Sequence, residues 1–315
     1  MVQMPERLGQ EQGIDSFPPE KTGLVVLTLN PGPDWARWIE ALKKQMFYPG
    51  WVLIIDSGST DGSFDLSIQA GLQVQSIRKE DFGHGKTRQL AVDLLADVDV
   101  IVFMTQDAVL ADSDALGNLI QGLMPSDVGA AFGRQLPRIE ANPIEAHARL
   151  FNYPERSRIK SLEDAAELGI KTPFFSNSFA VYKRKVLMEV GGFPAEVNFG
   201  EDVFVASRLL LKGWKIAYVA ESRVYHSHAY SLGEEFRRYV QVGKFYGREK
   251  WIVQTFGKAG GEGKRFFISE WKYLVLNRFT LIPLALLRSA LKFLGYRFGV
   301  LKNEHGYQFK KRIKI

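Results

Sequence analysis

Runs of β-branched, aliphatic and aromatic residues that end abruptly in polar turns set the strongest limit on this fold. "GLVVLTLN", "WVLIID" and "VDVIVFM" are such runs. Strands of this kind are buried on both faces, the condition of a parallel sheet with helices packed on either side. The segments between them have helical spacing. In "WARWIEALKKQ", Trp35, Trp38, Ile39 and Leu42 share one face, and "FDLSIQAG" and "GKTRQLAVDLLA" also read as helices. With "LQVQSIR" as a further strand, the alternation predicts an α/β fold with a mainly parallel sheet. "VGAAFGRQL", "SFAVYKR" and "KIAYV" extend it, and "VFVASRLLLKG" adds a helix. The stretch 142–172 is polar and mixed and is expected to be a flexible segment lining a site. Beyond Ser231 the chain reads as amphipathic helix.

Composition narrows the class. Among 315 residues there is no cysteine, which excludes disulfides and thiolate metal sites and fits a reducing compartment. No apolar run precedes Leu24, so no signal peptide is expected, and no window of about 18 uncharged apolar residues predicts a transmembrane helix. The net charge of +6 is uneven: Lys264 to Ile315 holds 12 Lys/Arg and 2 Glu, leaving −4 for the rest. A mildly acidic body with a basic, aliphatic tail favours an anionic membrane surface over nucleic acid. In "FTLIPLALLRSALKFLGYRFGVLK", Arg288, Lys292, Arg297 and Lys302 punctuate the apolar residues, and "KKRIKI" ends the chain. A helix lying in the membrane interface suits this pattern; a helix packed on the body or forming a homodimer contact also suits it.

Five short stretches carry polar groups at the ends of these elements. In "VLIIDSGSTDGS", Asp56 closes a strand and Asp61 follows across a turn of small residues. They suit either ligand binding or capping of the turn itself. In "DFGHGKTRQLAV", a helix starts beside His84 and Gly85, and its first amides with Arg88 could receive a phosphate. "TQDAVL" places Asp107 at the end of a strand, where α/β folds gather ligands. "GEDV" puts Glu201 and Asp202 at a helix start, as dipole partners or as a general base. "VYHSHAYS" sets His226 and His228 on one side of an extended strand.

In this order and combination, the stretches resemble the GT-A-fold glycosyltransferases of family 2, inverting enzymes that use nucleotide sugars. The resemblance spans about residues 24–231. "FGHGKTR", "TQDA" and "VYHSHAYSLGEEFRRY" are closest to bacterial rhamnosyltransferases of O-antigen and other cell-surface polysaccharide synthesis. It implies a flexible arm over 1–22 and a GT-A domain over 23–231. Residues 23–110 would be the nucleotide-binding half and 111–231 the acceptor half, with a helical, membrane-associated region over 232–315.

The resemblance also implies roles. Thr28, Asn30, Asp56, Ser57 and Asp61 would line the nucleotide, with His84, Gly85, Arg88, Gln106 and Asp107 facing the donor. Ser176, Asn177 and Glu201 would border the acceptor, and Asp202 would be the catalytic base. The family's Asp-X-Asp metal motif reads Thr105-Gln106-Asp107 here, with its first carboxylate missing. Diphosphate oxygens and water fill most positions around Mn²⁺ or Mg²⁺, so one carboxylate and one imidazole can suffice. His226 matches the family's metal-binding histidine, with His228 the runner-up. The implied donor is dTDP-β-L-rhamnose, or another nucleotide sugar such as UDP-galactofuranose, a UDP-hexose or a UDP-N-acetylhexosamine. The implied acceptor is a saccharide on a polyprenyl diphosphate, and the implied location is the cytoplasmic face of the membrane.

Overall fold

The computed structural model describes residues 16–257 and 261–312. The first fifteen residues of the expected arm and the last three of the basic end lie outside them. The described part of the arm is anchored: a 3-10 turn over Pro19–Lys21 accepts a backbone hydrogen bond from Gly50 and leads into the first strand.

The elements run β1 (Thr22–Thr28), α1 (Asp34–Lys43), β2 (Trp51–Asp56), α2 (Ser63–Gln69), β3 (Gln73–Ser76), α3 (His84–Leu94), β4 (Val100–Thr105) and β5 (Val109–Leu110). Next come α4 (Ala115–Gln121), β6 (Val128–Leu136), α5 (Pro143–Asn152), β7 (Arg158–Lys160), α6 (Ala165–Leu168), β8 (Phe179–Lys183), α7 (Arg184–Glu189) and α8 (Glu201–Leu211). The chain ends with β9 (Lys215–Tyr225), α9 (Leu232–Arg248), α10 (Lys250–Phe256), α11 (Glu262–Asn277) and α12 (Ile282–Arg312).

The strands form one sheet in the order β3-β2-β1-β4-β8-β6-β9-β5, with β7 on β9. The half from β3 to β4 is parallel, as the sequence predicts. Insertion of β8 between β4 and β6 makes both of those pairings antiparallel, so the whole sheet is mixed. Alternate residues feed two cores. Val25, Leu53, Ile101 and Phe103 pack with α3 and α8 on one face, and Leu24, Val26, Ile54 and Val102 pack with Trp35, Trp38, Ile39 and Leu42 on the other.

The stretch 142–172 is not the expected flexible segment. Asn142 caps α5 by accepting hydrogen bonds from the Ile144 and Glu145 amides, with Pro143 at the first helical position. One side of α5 then packs on α11 through His147, Phe151 and Phe266, so its apolar residues serve two neighbours and blur the sequence pattern. The C-terminal region also departs from expectation. Phe279–Lys302 is long and apolar enough to cross a membrane by length and composition, with mean hydropathy 1.3. Two of the four cations within it, Arg288 and Lys292, are paired with Glu235 on α9 at 3.0 and 3.2 Å. The opposite side of the helix is bare, with Phe293 and Leu294 at 63% and 55% exposure.

Candidate active site

The strand register brings the polar ends together. Thr28 lies opposite Asp56, and Leu27 opposite Thr105, so β1, β2 and β4 end at one edge of the sheet. A polar loop leaves each end, the arrangement that forms a ligand crevice in open α/β sheets.

Asp56 and Asp61 both shape the loops. Asp56 Oδ2 accepts the Gly58 and Ser59 amides at 2.9 Å, and Oδ1 accepts the hydroxyls of Thr28 and Ser59. Asp61 accepts the Gly32 amide at 2.7 Å and the amide and hydroxyl of Ser63. Ser57 donates to the Thr28 carbonyl. Asn30 accepts the Thr60 amide at 2.7 Å, and with φ +46° it is the one non-glycine residue in the left-handed region among the described residues. Gln106 closes the crevice floor: its amide oxygen accepts from the Leu29 N–H and its nitrogen donates to the Leu29 carbonyl. The α3 start is a packing device. A Cβ on Gly85 would lie 2.0 Å from the Pro194 carbonyl oxygen, so only glycine lets α3 approach that loop.

Asp107 meets both histidines. The backbone N–H of His226 donates to the Leu136 carbonyl, extending the β6–β9 ladder to the same edge. His226 Nε2 is 3.3 Å from Asp107 Oδ1, and His228 Nδ1 is 3.5 Å from Oδ2. One ligand atom from each of the three residues lies within 4.8 Å of the others. Burial holds both imidazoles below their ordinary range; His228 falls to about 3, with His226 as the second cause. Two neutral imidazoles and a carboxylate are the protonation states that ligation requires. This donor set suits a divalent first-row ion, Mn²⁺ ahead of Mg²⁺.

A cavity of about 380 Å³ opens beside Asp107, lined by Asp34, Gln106, Arg138, His228 and Tyr230 among others. Its size is that of a small-molecule site. Arg138 donates to Asp34 Oδ2 at 3.1 Å and to the Asp107 carbonyl at 2.9 Å.

Gly200 at φ +78° starts α8 and places Glu201 and Asp202 in its first turn. Glu201 accepts from Arg88 at 2.7 Å and from Asn177 Nδ2 at 3.2 Å, with side-chain exposures of 4% for Arg88 and 8% for Glu201. Arg88, which the sequence pointed at the donor, thus spends its charge on Glu201; His84 is exposed, with its ring beside Arg88. Asp202 accepts the Val203 amide at 2.8 Å and the Asn177 amide at 3.4 Å. Burial, then the Glu201 charge, push its pKa up to about 7.

Three polar residues about this site went unnoticed in the sequence. Gln135 is 2% exposed and joins Ser176, Arg149 and His226 by hydrogen bonds. Arg138 lines the cavity. The only sequence signal for Gln135 is an amide near the end of a largely apolar strand run; Arg138 and Arg149 carry none.

The model of the glycosyl transferase family 2 matches residues 24–191, more than half of the chain. The chain belongs to glycosyl transferase family 2. Among family relatives, the O-antigen chain rhamnosyltransferase RfbN of Salmonella typhimurium is 46% identical over 89% of this chain and 89% of its own. The O-antigen chain rhamnosyltransferase WbaN of Salmonella anatum is 44% identical over 88% of both chains. A mannosyltransferase from Pyrobaculum calidifontis, solved in complex with GDP-Man and Mn²⁺, superposes with a TM-score of 0.57 at 18% identity, covering 95% of this chain and 83% of that one. That likeness establishes the shared GT-A fold. As a family 2 glycosyltransferase, the chain holds the resemblance read from its motifs, and its Asp107–His226–His228 cluster lies at the edge where the strand ends meet.

Proposed function

We propose that this enzyme transfers L-rhamnose from dTDP-β-L-rhamnose to a lipid-linked saccharide, with inversion at the anomeric carbon, in the synthesis of a bacterial cell-surface polysaccharide. The donor and pathway rest on the two rhamnosyltransferases similar along nearly the whole chain. The observation that carries the chemistry is the meeting of Asp107, His226 and His228 beside the cavity.

Asp107, His226 and His228 would hold the divalent ion, which would supply positive charge against the donor diphosphate. Residues 23–110 form the nucleotide half, where Thr28, Asn30, Asp56, Ser57 and Asp61 fix the loops under the nucleotide, and residues 111–231 the acceptor half. Asp202 accepts the proton of the acceptor hydroxyl while that oxygen bonds to the anomeric carbon. The bond from this carbon to the diphosphate oxygen breaks, and the electron pair leaves with dTDP. A carboxyl with a pKa of about 7 is well matched to this role near neutral pH. Asn177 orients Asp202 through its backbone amide, and Ser176 borders the acceptor. Arg88 and Glu201 hold that wall from beneath as a buried pair.

The exposed apolar side of α12, with Phe293 and Phe298 outward and Arg297 and Lys302 among them, rests on the anionic inner face of the cytoplasmic membrane. There it meets an acceptor carried on a polyprenyl diphosphate.

A panel of nucleotide sugars, each offered with Mn²⁺ and a defined polyprenyl-diphosphate saccharide, tests the reading. Transfer from dTDP-rhamnose with an α-linked product by NMR is expected. Preferred turnover of UDP-galactofuranose, a UDP-hexose or a UDP-N-acetylhexosamine would replace the donor.

A further inference from the structure

We infer that Arg288, on α12, is a positioning residue: it holds the loop that carries His228 and forms one wall of the cavity beside Asp107. The inference rests on reading the Asp107–His226–His228 cluster as the active site, and it extends that site to the C-terminal region. The loop runs from His226, just after β9, to Ser231, the N-cap of α9. Ser227, His228, Ala229 and Tyr230 line the cavity. The Arg288 guanidinium reaches this loop from α12. Its Nη2 donates to the Tyr230 carbonyl at 2.8 Å and its Nη1 to Glu235 Oε2 at 3.0 Å. A planar fork serves two acceptors at once, whereas an ammonium is a point charge on a flexible stem. Glu235 aims the fork, and Lys292 fixes the other Glu235 oxygen at 3.2 Å. Arg288 and Glu235 are both largely shielded from solvent, so water competes little for these bonds.

Tyr230 passes the restraint on. Its ring lies 4.9 Å from the His228 ring at a tilt of 30°, and its hydroxyl accepts from Arg238 at 3.2 Å. The His228 ring packs in turn on that of His226, with centroids 4.5 Å apart. The Tyr230 backbone is thus tethered to α12 and its side chain to α9, and together they fix the surface on which His228 rests beside Asp107. α12 leaves one side bare and reaches the site with the other, so it supports the cavity wall as well as offering an outer surface.

The test separates loop positioning from the clamping of α12 on α9. Arg288→Met and Lys292→Met each remove one of the two cations on Glu235, so both should lower Tm; only Arg288→Met also removes the bond to Tyr230. Losing a hydrogen bond from a charged group should raise the open population of the loop about 10-fold or more. The readout is faster amide hydrogen exchange over 227–231 in the full-length protein without metal or substrate. Lys292→Met should leave that exchange within about twofold of wild type, as expected for a site that does not touch the loop. Arg288→Lys keeps a charge beside Glu235 without the fork, so it should speed exchange in the same segment with a smaller loss of Tm, and it carries the test if Arg288→Met does not fold. Mn²⁺ binding read by EPR should weaken about tenfold in Arg288→Met, the lower end for losing an outer support of a metal-binding histidine; loss of a positive charge alone would not weaken it. Wild-type exchange in both Arg288 variants, equal acceleration in Lys292→Met, or unchanged Mn²⁺ affinity in both Arg288 variants would each overturn the inference. Failure of the wild-type protein to bind Mn²⁺ would instead strike the metal reading, while the exchange comparison still decides what Arg288 holds.

Discussion

The Arg88–Glu201 pair offers a sharp test of how the wall beside Asp202 is built. The two groups are 2.7 Å apart with side-chain exposures of 4% and 8%. Replacing Glu201 by methionine leaves a guanidinium in a place from which water is excluded, and Arg88→Met leaves a bare carboxylate. Breaking such a buried pair costs about 3–5 kcal/mol, whereas replacing both partners by apolar residues of similar volume is often neutral. The double variant still orphans Asn177 Nδ2, which donates to Glu201, so a residual cost of about 1–3 kcal/mol is expected. Each single variant should therefore lose about 3–5 kcal/mol in urea unfolding, and the double variant much less than their sum, giving a coupling of several kcal/mol. A fall in Tm on the order of 10 °C should accompany each single change. Costs below about 1 kcal/mol for the singles would mean a solvated pair, and strict additivity would mean that the two residues do not share one low-dielectric cluster.

Two more outcomes follow from the geometry. As the proposed base, Asp202 must be ionised to take a proton, and its pKa is raised to about 7, so kcat should climb as pH passes upward through about 7. Asp202→Asn should lower kcat about 10²- to 10⁴-fold; a flat profile from acid to neutral pH would remove Asp202 as the base. Serine in place of both Phe293 and Phe298, exposed on the bare side of α12, should reduce sedimentation with anionic lipid vesicles while leaving Mn²⁺ binding unchanged. Equal sedimentation of the variant and wild type would refute membrane seating through this face.

The strands and the main helices were legible because burial on both faces writes itself as β-branched runs, and a one-sided helix such as α1 writes itself as Trp35, Trp38, Ile39 and Leu42. Neighbour order was not. Nothing local in "SFAVYKR" says that β8 inserts antiparallel between β4 and β6. Asp107 and His226 were readable as one cluster only through the order of the motifs, since 119 residues separate them. His228, ranked second in the sequence, approaches Asp107 as well. The pairing of Arg88 with Glu201, 113 residues away, was invisible because a guanidinium near a helix start reads equally well as phosphate binder or buried partner. Gln135 and Arg149 were invisible for a related reason: their hydrogen bonds form only once β6, β9 and α5 pack together.

Mn²⁺ titration of the wild-type protein and of Asp107→Ala, His226→Ala and His228→Ala, with dTDP present and read by EPR, addresses the metal site most directly. One site is expected in wild type, weakened more than about tenfold by each of the three changes, as expected when a ligand is lost. Mn²⁺ binding that is unchanged in both Asp107→Ala and His226→Ala would contradict the site.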